Sequence, residues 1–173
     1  MTTDPTTLFP IPAISTDTDE RFTPRWLLEE LGRFDLDPCS PAGGPLHRMA
    51  NRWLTVADDG LRSEWEGSVF MNPPFSNPTP WARKMIAHGN GVALLPVSNS
   101  AWRYEVLESA DLFWFPRDFA FIGVTHAQMR ISMPVFLAAF GDDSAGRLRR
   151  LAMSGRHDGS LLSRDPATVS DYA

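Results

Sequence analysis

The stretch Gly91-Val92-Ala93-Leu94-Leu95-Pro96-Val97 has no charged or polar side chain. A half-exposed strand alternates apolar with polar residues, so an unbroken apolar run suits a strand buried on both faces, as in the parallel sheets of α/β proteins. Its neighbours fit that reading. Residues 80–88 are expected to form a helix capped near Thr79, residues 102–109 a second helix, and residues 111–115 another buried strand. Residues 119–123 and 133–140 read as a closing pair of strands with no helix between them, hence antiparallel. The expected fold class is therefore α/β, with a mostly parallel sheet and a terminal antiparallel strand pair.

Two further strands end abruptly. Ser68-Val69-Phe70-Met71 stops at Asn72-Pro73-Pro74-Phe75, because two consecutive prolines remove two backbone donors. Phe34-Asp35-Leu36-Asp37 runs into Pro38-Cys39-Ser40-Pro41-Ala42-Gly43-Gly44-Pro45, too rich in Pro and Gly for regular structure. In open α/β sheets ligands bind beyond the carboxyl ends of the strands. Asp37 and Asn72 would then face one crevice, provided that their strands are neighbours. Ahead of these, a short helix ends at Gly32, with Thr23 as its N-cap, Pro24 in first position and Trp26, Leu27, Leu28 and Leu31 on its apolar face.

Length and composition fit one folded domain. The expected divisions are an N-terminal arm over residues 1–21, rich in Thr, Asp and Pro, a domain over residues 22–141, and a polar tail over residues 142–173 with at most one short helix. Cys39 is the lone cysteine, and no charged leader or long apolar run is visible, which points to the cytoplasm and no membrane partner. A net charge of -5 excludes a protein that coats nucleic acid by bulk electrostatics. Every basic residue but Lys84 is arginine, which suits phosphate and base contacts but equally follows from genome composition. His47, His88, His126 and His157 lack metal-ligand spacing, so no metal is expected. Ser98-Asn99-Ser100 either contacts substrate or caps the helix at Ala101. Trp102, Arg103, Arg117 and Arg130 either touch nucleic acid or serve packing and surface.

The Asn72-Pro73-Pro74-Phe75 corner suits the methylation of a planar amine. The lone pair of such an amine is delocalised into its ring, and the nitrogen must become tetrahedral and positive before it attacks a methyl group. The side-chain oxygen of Asn72 and the backbone oxygen of Pro73 can each accept an amine hydrogen and stabilise the growing charge. Phe75 can stack on the base, a contact of about 1–3 kcal/mol in other base-binding sites. The alternative is a proline turn that merely closes a strand.

Thr23-Pro24-Arg25-Trp26-Leu27, Phe34-Asp35-Leu36-Asp37-Pro38, Asp58-Asp59-Gly60-Leu61 followed by Trp65, Val69-Phe70-Met71-Asn72-Pro73-Pro74-Phe75 and Trp81 occur in that order. In this the chain resembles the phage DNA N-6-adenine methyltransferase family, over roughly residues 22–140. The resemblance implies a Rossmann-like methyltransferase sheet and transfer of a methyl group from S-adenosylmethionine to the exocyclic amine of adenine in DNA. By position it implies that Thr23, Pro24, Asp37 and Pro38 hold the cofactor, that Asp58 or Asp59 accepts from the amine of the cofactor's adenine, and that Asn72 to Phe75 form the catalytic corner. Asp35 is left to pair with Arg33 or face solvent, and Asp58-Asp59-Gly60 is also good turn chemistry. The chain departs from the family pattern in two places. The glycine-spaced cofactor loop is replaced, and the interval from Asp37 to Asp58 is too short for a full helix-strand repeat, which leaves the ribose-binding acid unassigned. No target-recognition domain is visible, and the oligomeric state is not legible. Two rival readings are an amino-methyltransferase acting on RNA or protein amides, and a nucleotide-binding module without turnover.

Overall fold

Gly91–Pro96 is buried at every residue and forms β4, the central strand of a mixed seven-stranded sheet. The computed structural model describes residues 21–123, 128–130 and 134–164; all but Arg21 of the expected arm, His126, the side chain of Arg130 and residues 165–173 fall outside this description. The elements run α1 (Arg25–Leu31), β1 (Phe34–Asp37), β2 (Ala50–Trp53), β3 (Val69–Met71), α2 (Thr79–His88), β4, α3 (Ala101–Ser109), β5 (Leu112–Pro116), β6 (Ala120–Ile122), β7 (Gln128–Arg130), β8 (Val135–Phe140), α4 (Asp142–Met153) and β9 (Gly159–Ser163). The sheet order is β2-β1-β3-β4-β8-β5-β9, and its first four strands are mutually parallel.

The two sheet faces bury separate cores. On one face, Leu27, Leu28 and Leu31 of α1 and Ala145, Leu148 and Leu151 of α4 pack against Phe34, Phe70, Val92 and Leu94. On the other, Ala82 and Met85 of α2 and Trp102 and Val106 of α3 meet Val69, Met71, Ala93 and Leu95. Even and odd residues of β4 feed opposite cores, as the two-residue repeat of a strand requires.

The closing strands do not pair as expected. β8 lies antiparallel between β4 and β5 inside the main sheet, whereas β6 pairs antiparallel with β7, and Ile122 bridges Phe22. Burial explains the difference: all six residues of β8 are buried, and all six find partners on β4, which the three-residue β6 could not supply. The stretch expected as a polar tail also holds structure. Its helix α4 buries Ser144, Ala145, Leu148 and Leu151, with Asp142 and Asp143 in its first turn and Arg150 in its last, matching the helix dipole. Arg147 of that helix donates to the carbonyls of Leu31 and Arg33, satisfying acceptors left over at the end of α1. β9 then pairs with β5 as an edge strand.

A parallel strand also follows β1 without an intervening helix. Residues 38–49 cross from β1 to β2 as loop and bends, so the interval judged too short for a helix-strand repeat does hold a strand, reached by an irregular crossover. Helix starts are shifted by one residue: Pro24 rather than Thr23 caps α1, and Pro78 precedes Thr79 at the start of α2.

Candidate active site

β1 and β3 are hydrogen-bonded parallel neighbours, so their carboxyl ends lie side by side. Asp37 is the last residue of β1, and Asn72 follows the last residue of β3. The condition for a shared crevice is met: Thr23, Asp37 and Asn72 line one cavity of about 40 Å³, together with Arg21, Leu28, Cys39, His47 and Phe70. A cleft of about 440 Å³ adjoins it, sharing Leu28, Leu46, His47 and Met49 and adding Arg25, Glu29, Arg33 and Arg48.

Asn72 is held by what precedes α1. Its amide nitrogen donates to the Arg21 carbonyl at 3.0 Å and to the Thr23 hydroxyl at 3.3 Å. That orientation uses the donor end of the side chain and leaves Oδ1 as its acceptor end. Thr23, freed from the expected capping role, therefore meets the catalytic candidate directly. Pro73 is buried, and Pro74 and Phe75 are half-buried. The Phe75 ring meets Phe121 edge-on at 5.7 Å, and the Arg21 guanidinium lies 5.3 Å from its centroid. From there an aromatic chain runs through Phe119 to Trp26.

Asp37 folds into its own loop. Its carboxylate accepts the Cys39 amide at 3.0 Å and the Ser40 hydroxyl at 2.6 Å, an Asx-type turn that orders the start of the Pro-rich crossover. Burial pushes its pKa above the usual carboxylate range, and the bonds from Ser40 and Cys39 oppose that shift. The neighbouring Cys39 thiol is driven well above its ordinary value, by burial first and by the Asp37 charge second, so it stays protonated at neutral pH.

At neutral pH the buried Asp37 charge disfavours the folded state, so Asp37→Asn is expected to raise the melting temperature there. As pH falls through the raised folded value, Asp37 takes up its proton while folded and the difference should shrink. Melting curves of both proteins from neutral to acidic pH check this; a constant or widening gap would show that the carboxylate is not destabilising.

Asp58 and Asp59 do not line this cavity. Asp58 closes a capping box on the 3₁₀ turn Val56–Asp58, accepting both the amide and the hydroxyl of Thr55, and those two bonds hold its carboxyl below the usual range. Asp59 sits in the left-handed region at φ 49° and accepts the Arg62 amide. Gly60 explains the spacing of the motif. A Cβ on it would come 3.1 Å from the Trp81 ring and within 3.2 Å of the Pro38 carbonyl carbon, so the turn can lie against the Asp37-Pro38 loop. The Gly60 carbonyl accepts from the Trp65 indole, and Lys84 donates to the carbonyls of Gly60, Leu61 and Ser63. Trp65 and Trp81 stack at 6.5 Å. These residues thus brace the first loop from behind.

Ser98 and Ser100 bond to each other ahead of α3, and Ser100 makes no side-chain cap. Trp102 is core, Arg103 lies over Tyr104, and Arg117 pairs with Asp158. Among the described residues no group of three or more His, Cys, Asp or Glu could hold a metal ion, and no helix is long and apolar enough to cross a membrane. Sequence reasoning missed Arg21, whose carbonyl anchors Asn72, and His47, which lines both cavities. Neither carries a signal beyond lying next to a quoted motif or in the Pro-rich crossover.

Polar residues from two adjacent parallel strands, meeting around a cavity at the strand ends, define an α/β protein whose candidate site lies where such sheets take their ligands. Residues 14–133, more than half of the chain, match the family described as DNA N-6-adenine-methyltransferase (Dam), and the chain belongs to that family. No curated protein and no solved structure matches it.

Proposed function

We propose that this protein transfers a methyl group from S-adenosylmethionine to the exocyclic N-6 amine of adenine in DNA, on a Rossmann-like methyltransferase sheet. The observation that carries the reading is the meeting of Asn72 and Asp37 in one cavity at the ends of adjacent parallel strands, within a chain of this family. The donor set fits the cofactor: a carboxylate at the end of β1 suits its ammonium, and the Thr23 hydroxyl adds a polar contact. Ligand pockets commonly measure about 300–1,000 Å³. The 40 Å³ cavity would therefore take only one end of the molecule, and the adjoining 440 Å³ cleft would take the rest. Once bound, the cofactor supplies an activated methyl group on sulfonium.

The chain's own residues do the remaining work. The amide nitrogen of Asn72 is fixed by Arg21 and Thr23, which aims Oδ1 as the acceptor for one amine hydrogen of the target base; the backbone oxygen of Pro73 accepts the other. Charge builds on the amine as the methyl group arrives, and both oxygens stabilise it. The methylated amine is acidic and gives up its proton without a strong base. Phe75 offers a stacking surface for the base. Asp37 and Pro38 hold the cofactor, and Asp58 or Asp59 would accept from the amine of its adenine, beyond the 40 Å³ cavity that neither acid lines.

Labelled methyl transfer, run in parallel on DNA, RNA and protein, tests the reading. Label is expected in DNA, on N-6 of adenine. Label in RNA or protein alone would replace the substrate, and cofactor binding without transfer to any of the three would make the chain a nucleotide-binding module.

A further inference from the structure

Alternation along β1 is broken. Phe34 packs with Phe70 and Val92 on the α1 face, whereas Leu36 packs with Val69, Met71 and Ala93 on the α2 face. Residues two apart on a regular strand share a face. The backbone supplies the cause: the Ser68 carbonyl accepts from both the Asp35 amide (2.8 Å) and the Leu36 amide (3.1 Å). One carbonyl opposite two successive amides is a β-bulge, with Asp35 as the extra residue. On a regular strand Asp37 would point to the α2 face. The bulge turns it to the α1 face, where it joins Phe70 and Asn72 at the cavity.

The Asp35 side chain clamps this bulge. Its Oδ2 accepts the Ser68 backbone amide at 2.8 Å and the Ser68 hydroxyl at 2.9 Å, and its Oδ1 accepts from Nδ2 of the Asn51 side chain on β2 at 3.2 Å. Gly67 leaves room for the carboxylate, since a Cβ there would lie 2.7 Å from both the Cβ and the carboxyl carbon of Asp35. The Ser68 amide, then its hydroxyl, then Asn51 and the Arg147 charge hold the Asp35 carboxyl below the usual carboxylate range, so the clamp is ionised at neutral pH. It is exposed, one of the two alternatives that its position in the sequence suggests, but it binds Ser68 and Asn51 and not Arg33, which donates to Asn51 instead.

We infer that Asp35 is a positioning residue whose clamp on Ser68 and Asn51 fixes the bulge and so aims Asp37 into the cavity beside Asn72. The inference rests on the reading of Asp37 as a cofactor-holding acid. A double-mutant cycle on the full chain tests it, with Asp35→Ala, Asp37→Ala and the combination measured by calorimetry against S-adenosylmethionine, and with melting temperature and DNA affinity as controls. Asp35→Ala is expected to weaken cofactor binding about tenfold, as the loss of one charge-assisted contact would, and to leave DNA affinity unchanged. In the Asp37→Ala background it should cause no further loss. Gly67→Ala, which crowds the carboxylate off Ser68, should reproduce the loss and serves if Asp35→Ala does not fold. Additive losses, or an unchanged affinity in Asp35→Ala and Gly67→Ala while Asp37→Ala is weakened, would overturn the positioning role. An Asp37→Ala protein with full cofactor affinity would instead remove the reading of Asp37 itself, and the positioning role with it.

Discussion

Replacing Asn72 by alanine is expected to slow methyl transfer by about 10²–10³, the usual effect of removing one preorganised polar contact from a reacting centre, while much of the affinity for S-adenosylmethionine remains. The split follows from geometry. Asn72 sits beyond the end of β3 and Asp37 at the end of β1, so deleting the amide leaves the proposed cofactor acid in place. The variant also removes the donor held by the Arg21 carbonyl and the Thr23 hydroxyl. A carbonyl left unpaired costs about 1–3 kcal/mol when buried, and less where water reaches it. Each kcal/mol lowers the melting temperature of a chain of this length by about 2–4 °C, so rates must be compared where both proteins are folded. Asn72→Asp keeps an acceptor and should lose less than the alanine variant. Single-turnover transfer with calorimetry on the same samples checks the split, and equal rates in wild type and Asn72→Ala would remove the side chain from the mechanism.

What the sequence made legible was set by local chemistry. The apolar run at Gly91–Pro96 could only be a strand covered on both faces, and the prolines after Asn72 could only end one, so β4, β3 and the proline corner that closes β3 were readable. The placement of β8 was not, because strand order within a sheet depends on partners far apart in the chain. The helix α4 was obscured by composition: Ala145, Leu148 and Leu151 repeat at helical spacing among Arg, Asp and Ser, and the polar majority hid the stripe. Thr55 and Asp58 have the spacing of a capping box, so the sequence carries a structural role for Asp58 beside the cofactor role that the resemblance implies. The bulge at Asp35 left no mark of its own. Neither Gly nor Pro announces it within β1, and it appears only when the Ser68 carbonyl, just ahead of β3, is seen to serve two amides on β1.

Phe75→Ala is expected to reduce methylation of paired adenine by about 5- to 150-fold, the equivalent of the 1–3 kcal/mol that base–aromatic stacking contributes per base. An amine inside a duplex cannot reach a cavity at strand ends, so the target adenine must leave the stack at a cost of about a few kcal/mol. A new stacking surface offsets part of that cost, and Phe75 is the aromatic residue of the proposed catalytic corner. The ring is half-buried and meets Phe121 edge-on at 5.7 Å, so the alanine variant also loosens the chain of rings leading to Trp26. Phe75→Tyr keeps ring and contact and should keep activity. Stacking and packing separate through the substrate. An adenine opposite a mismatch or an abasic site is already partly unstacked, so it should recover part of the alanine defect if Phe75 compensates for extrusion. A packing defect would not depend on how the adenine is paired. If Phe75→Ala, shown to be folded and to bind cofactor normally, were equally impaired on paired and unpaired adenine, the ring would be shaping the pocket beside Phe121 rather than receiving the base.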